Sequence, residues 1–196
     1  MCIRDRNKAI ELDPEYVDAY AARADSRYFI DDYKGSIKDA TKAIEIDPEY
    51  DFAYVVRAQS KIMRKDYRGA IEDATAAIEI DPEYADAYIA RAEAKYWRKL
   101  YEGSIIDATV AIEIDPENAY YYIARAESKY AIDDYRGALR DTNKSIELDP
   151  ENSYAYRLRG LSKEMLDDLN GACGDWKYAS SLGDEDASEW VEDQCE

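Results

Sequence analysis

Residues 77–84 read Ala77-Ile78-Glu79-Ile80-Asp81-Pro82-Glu83-Tyr84, and this stretch decides the fold. A proline disfavours the α region for the residue before it, so Asp81 marks the end of a helix. All five prolines of the chain, Pro14, Pro48, Pro82, Pro116 and Pro150, stand 34 residues apart. Each lies in an Asp-Pro-Glu triplet after a Ser/Ala-Ile-Glu-Leu/Ile run. A helix stop that returns at a fixed spacing is the mark of a repeat array, not of one irregular domain.

With each proline set at position 32 of a 34-residue unit, other columns fall into register. Position 4 is Tyr20, Tyr54, Tyr88, Tyr122 and Tyr156. Position 8 is Ala24, Ala58, Ala92, Ala126 and Gly160, position 20 is Ser36, Ala70, Ser104, Ala138 and Ala172, and position 27 is Ala43, Ala77, Ala111, Ser145 and Ala179. Small residues at 8, 20 and 27 let two helix backbones approach closely, while the aromatic at 4 fills the space between turns. Each unit reads as helix A over positions 1 to 14 and helix B over 18 to 31. In Asp31-Asp32-Tyr33 and Asp133-Asp134-Tyr135 the second Asp is placed to cap the orphan amides that open helix B. The acids at 29, 31 and 33, such as Glu45, Asp47 and Glu49, read as a solvated edge.

This pattern resembles the tetratricopeptide repeat, whose outline is an aromatic at 4, a small residue at 8, Ala at 20 and 27, and Pro at 32. The resemblance covers nearly the whole chain and implies an all-α, right-handed superhelical solenoid of antiparallel hairpins. The array is then a partial repeat with helix B alone at 1–16, units at 17–50, 51–84, 85–118 and 119–152, a divergent unit at 153–186, and a capping helix at 187–196. A helix B without its helix A is expected inside a longer array, and leaves an apolar stripe around Ile3 and Ile10 for stacking on another copy or on missing repeats. The departures, Arg at 7, Lys or Arg at 11, and Ala40, Ala74, Ala108 or Thr142 at 24, look like a bacterial-type variant.

Composition narrows the function. The formal net charge is −18, which repels phosphate backbones and anionic lipid, so nucleic acid and membrane insertion are not expected. With no histidine, no Gly-rich phosphate loop and no nucleophile elbow, neither an enzyme nor a metal or other cofactor is expected. Residues 1–7 carry no apolar signal core. The compartment stays open, cytoplasmic or, with an upstream leader, exported. Of three cysteines, Cys2, Cys173 and Cys195, the last two face each other if the closing helix packs back, and are a candidate disulfide given an oxidising compartment.

Opposite charges recur at positions 7 and 23: Arg23 with Asp39, Arg57 with Asp73, Arg91 with Asp107, Arg125 with Asp141, and Arg159 with Asp175. One member lies on each helix of a hairpin, so these read as structural ion pairs. The resemblance implies a concave groove lined by positions 2, 5, 9, 12 and 13 of helix A. Its candidate contacts here are Phe52, Asp86, Ile89, Glu93, Tyr96, Tyr120, Ile123, Glu127 and Tyr130. Such a groove is aromatic with an acidic stripe. It lacks the Lys, Asn and Arg set with which the chaperone-binding branch of the family grips a carboxylate, so a protein or peptide partner is expected to be basic or apolar.

Overall fold

The computed structural model describes residues 3–195; Met1, Cys2 and Glu196 lie outside them, and with them the outer ends of the partial repeat and the capping helix. The chain forms two compact units, one ending at Leu100 and one beginning at Tyr101. That division falls between the two helices of the unit read as 85–118. Among the described residues all regular structure is helical.

The first unit contains α1 (Ile3–Leu12), α2 (Val17–Tyr28), α3 (Tyr33–Ile46), α4 (Asp51–Met63), α5 (Tyr67–Ile80) and α6 (Ala85–Trp97). Each helix packs on the next, and the A helices α2, α4 and α6 also pack side by side. Close approach rests on alanine: Ala21, Ala43 and Ala53 form one buried cluster, and Ala58, Ala70, Ala74, Ala77, Ala87, Ala90 and Ala94 join Val55 and Ile62 in another. Tyr20, Tyr54, Tyr50 and Tyr84 close the seams around them.

The second unit contains α7 (Tyr101–Ile114), α8 (Ala119–Ala131), α9 (Tyr135–Leu148), α10 (Ser153–Glu164), α11 (Leu169–Ser181) and α12 (Glu185–Gln194). Ala126, Ala138 and Leu158 repeat the small-residue core. The last hairpin solves the same packing differently. Trp176, fully buried, takes position 24, and a Cβ on Gly160 would sit 2.3 Å from its Nε1, so only glycine leaves room at position 8. α12 covers this hairpin with Ala187 buried and Trp190 and Val191 packed on the Trp176 cluster, and Cys173 and Cys195 are joined by a disulfide.

Local chemistry sets the boundaries. Asp47, Asp81 and Asp149 leave the helix with ψ near 100, 100 and 90°, as a residue before proline must. Their side chains also turn the chain. Oδ1 of Asp13, Asp47, Asp81, Asp115 and Asp149 accepts the amide two residues on, at 3.0, 3.0, 2.9, 3.1 and 3.2 Å. The acid at position 31 is therefore part of an Asx turn and not merely a solvated edge.

Helix B opens at position 17, one residue before the sequence reading. Asp32, Asp66, Asp134 and Asp168 accept the amides of Gly35, Gly69, Gly137 and Gly171 at 2.9, 3.0, 2.9 and 2.9 Å. A Cβ at Gly35 would meet Asp32 Oδ2 at 2.1 Å, so the cap and the glycine go together. Two residues before each helix B the chain takes a left-handed backbone, at Asp31, Lys65, Lys99, Asp133 and Asp167, with φ of 61, 63, 60, 65 and 62°.

Candidate functional site

Two surfaces of helix A differ in purpose. Position 7 arginines face helix B. Arg23 donates from Nε and Nη2 to the two carboxylate oxygens of Asp39, both at 2.7 Å, and Arg57, Arg125 and Arg159 make the same fork on Asp73, Asp141 and Asp175. Arg91 and Asp107 have one member in each unit. A second cation, not legible in a sequence where position 11 stands only as a departure, joins each carboxylate: Arg27, Lys61, Lys129 and Lys163 lie 2.9, 2.6, 2.7 and 2.8 Å from it. Nη1 of each position 7 arginine reaches back to the preceding helix B, at Asn7, Thr41, Thr75, Thr109 and Asn143. The guanidinium also lies over the position 4 ring, 5.5 Å away for Arg23 and Tyr20. With its donors engaged on protein groups, this column fastens one hairpin to itself and to its neighbour.

The opposite face of the A helices carries the acids and aromatics. In the first unit the Tyr28 phenol is pushed up by burial and then by the charges of Glu93 and Asp25. The Tyr84 phenol is raised further, by burial and then by Asp86, Asp51 and Asp25. Acids from α2, α4 and α6 thus converge on a shared field. Asp25 has its own carboxyl raised above the ordinary 3.8 by desolvation, against the opposing pull of Arg6. Tyr50 donates to Asp18 at 2.7 Å and is pushed up to about 12, by burial first and by that bond second. Tyr96 stands edge-on to Trp97 at 5.6 Å.

Not every candidate contact lies on that face. Ile89 and Ile123 are 4% and 2% exposed, and Ala21 and Val55 at the same position of the first two full repeats are buried as well. Position 5 is core, because in the first unit it falls at the seam where A helices pack side by side. Phe52 is half-buried against the Ala21 and Ala24 clusters. Position 13 faces out in the first unit, where Phe29 is 75% exposed and Trp97 57%. In the second unit Tyr120 is exposed and Tyr130 meets Tyr135 edge-on. Glu127 is an internal acceptor: Tyr154 donates to it, and burial raises its carboxyl despite that bond and nearby Arg157.

No protein-family model matches the chain, and no curated protein matches it. Solved structures do. A chain of the APC/C hetero-tetramer Cut9–Hcn1 superposes with a TM-score of 0.90 at 12% identity, over 99% of this chain and 39% of that one. TTC0263, a thermophilic TPR protein of Thermus thermophilus, gives 0.76 at 13% identity, over 90% and 96%. YrrB, a TPR protein with an unusual peptide-binding site, gives 0.70 at 16%, over 98% and 100%. The fold is that of the tetratricopeptide repeat. At such identities the likeness speaks of architecture alone.

In the TPR register the departures acquire reasons. Arg at 7 and Lys or Arg at 11 form a two-cation clamp on Asp39, Asp73, Asp141 and Asp175. Among the described residues no cluster of three His, Cys, Asp or Glu is arranged to hold a metal, and no helix is long and apolar enough to cross a membrane.

Proposed function

We propose that this TPR array is a non-enzymatic interaction module that holds a basic or apolar segment of another protein. The observation that supports this most is the convergence of Asp25, Asp51, Asp86 and Glu93 on Tyr28 and Tyr84 in the first unit. Acids of α2, α4 and α6 that act together on the same tyrosines give this face a negative potential, which suits an incoming Lys or Arg. Tyr96 and Trp97 beside them offer rigid contact area at low entropic cost. In the second unit Tyr120 and Tyr130 supply aromatic content of the same kind. Ile89, Ile123 and Glu127 support the surface from beneath.

The reading is tested with a synthetic Lys/Leu peptide titrated against wild type and against Asp86→Asn. Weaker binding by the variant at unchanged melting temperature is expected. Equal binding would remove the acidic face from the site.

A second reading, self-association through the partial repeat, is favoured by α1, which has no fully buried residue and leaves Leu12 exposed. Sedimentation across a concentration series separates the two. Association lost on Ile3→Lys with Ile10→Lys would support stacking.

A further inference from the structure

Along its hairpin turns the first unit reverses sign. From the last residue of α4 the chain runs Met63-Arg64-Lys65, and from the last residue of α6 it runs Trp97-Arg98-Lys99-Leu100. Met63, Trp97 and Leu100 are 48%, 57% and 45% exposed. The four cations are exposed as well, and among the described residues they form no ion pair. Tyr67 stacks on Trp97 with ring planes 10° apart and centroids 6.1 Å apart, which makes one patch of the two turns.

Two residues here go against the local rules of the fold. Lys65 and Lys99 hold the left-handed position that Asp31 fills in the first hairpin, although Asp adopts that conformation more readily than Lys. Leu100 stands where Asp32 and Asp66 cap the following helix, and a leucine side chain has no oxygen to accept an amide. The third turn carries an exposed apolar side chain where the turns before it carry the Asp carboxylate. Departures of this kind concentrate where a surface is used.

We propose that this patch docks a short acidic segment of a partner protein that carries an apolar side chain. Charge complementarity selects the occupant. Four unpaired cations around Trp97, Met63 and Leu100 suit carboxylates flanking a Leu or Phe. Extended polyanions fit less well, because a chain of net charge −18 repels them beyond the patch, whereas a short segment feels only the field within about 8–10 Å. A second copy carries the same repulsion. The site borders the acidic helix-A face at Trp97, which stands edge-on to Tyr96, and takes the opposite charge.

The test uses a fluorescein-labelled peptide of alternating Glu and Leu, followed by anisotropy. Wild type is expected to bind it, more weakly as salt rises. A variant with Arg64→Gln, Arg98→Gln, Lys65→Asn and Lys99→Asn should lose about ten-fold or more in affinity, asparagine being tolerated in the left-handed backbone. Leu100→Asp restores a cap, so it should raise the melting temperature while weakening binding, which a purely structural role for Leu100 would not do. Asp25→Asn with Glu93→Gln, which removes carboxylates of the acidic face, should not weaken this binding. Equal binding by wild type and the four-residue variant, or none by wild type at millimolar peptide, would overturn the proposal. So would patch-dependent binding to phosphatidylserine vesicles or polyuridine without peptide binding, or patch-dependent dimerisation in its place.

Discussion

Arg125 grips Asp141 across the α8/α9 hairpin with two hydrogen bonds, Nε to Oδ2 at 2.8 Å and Nη2 to Oδ1 at 2.7 Å, and Lys129 lies 2.7 Å from the same carboxylate. The carboxylate is buried and the arginine nearly so. Arg125→Ala leaves Lys129 in place as a counter-charge, so it should cost about 1–3 kcal/mol. Asp141→Asn strands two cations and should cost more, about 3–5 kcal/mol. Hydrogen exchange of α8 and α9 measures both, with peptide affinity unchanged.

Gly160 and Trp176 form a matched pair. Gly160→Ala drives a methyl group into the indole and should destabilise the last hairpin by about 1–3 kcal/mol. The reverse exchange at the corresponding position, Ala126→Gly, should cost only about 1 kcal/mol, from helix propensity. Thermal unfolding of the two single variants orders them, and a harmless Gly160→Ala would refute the packing account.

How much of this was legible in the sequence varies with the physics involved. The prolines and small columns announced hairpins because backbone approach and X-Pro stereochemistry are local or periodic constraints. The caps at Asp32 and Asp134 were legible for the same reason, and the ion pairs of position 7 showed as opposite signs 16 residues apart, although the second cation at position 11 did not. Which helix-A residues face out depends on how neighbouring A helices tilt together. Ile89 and Ile123 therefore looked like contacts when they are core, and Glu127 looked free when Tyr154 covers it. Phe29 and Trp97, the exposed aromatics, stood in the same columns and could have been separated only by knowing that tilt.

Glu127 predicts a pH effect. Its carboxyl is raised above the ordinary 4.5, so the folded state holds the proton more tightly than the unfolded one. Stability contributed by the protonated form is present below that ordinary value and falls as pH rises through the raised folded value. Glu127→Gln keeps an acceptor for Tyr154 and removes the charge. It should stabilise the second unit at pH 7, have no such effect in strong acid, and flatten the decline between. An unchanged pH profile in urea unfolding would contradict this.

The Cys173–Cys195 bond closes a loop with a sequence separation of 22, which loop-closure entropy values at about 3 kcal/mol. Reduction, or Cys195→Ser, should raise hydrogen exchange in α12 and the solvent exposure of Trp190 before the rest of the second unit responds. Simultaneous loss of α8 and α9 protection would show instead that the cap holds the whole unit.

The measurement closest to the central claim is calorimetric titration of a Lys/Leu peptide into wild type and into Asp25→Asn with Glu93→Gln, at pH 7 and pH 5. An affinity about ten-fold lower in the variant is expected at pH 7. Wild-type affinity should also weaken toward acid, since desolvation makes Asp25 lose its charge at a higher pH than an exposed aspartate. Equal affinities for the two proteins at pH 7 would contradict binding at the acidic helix-A face.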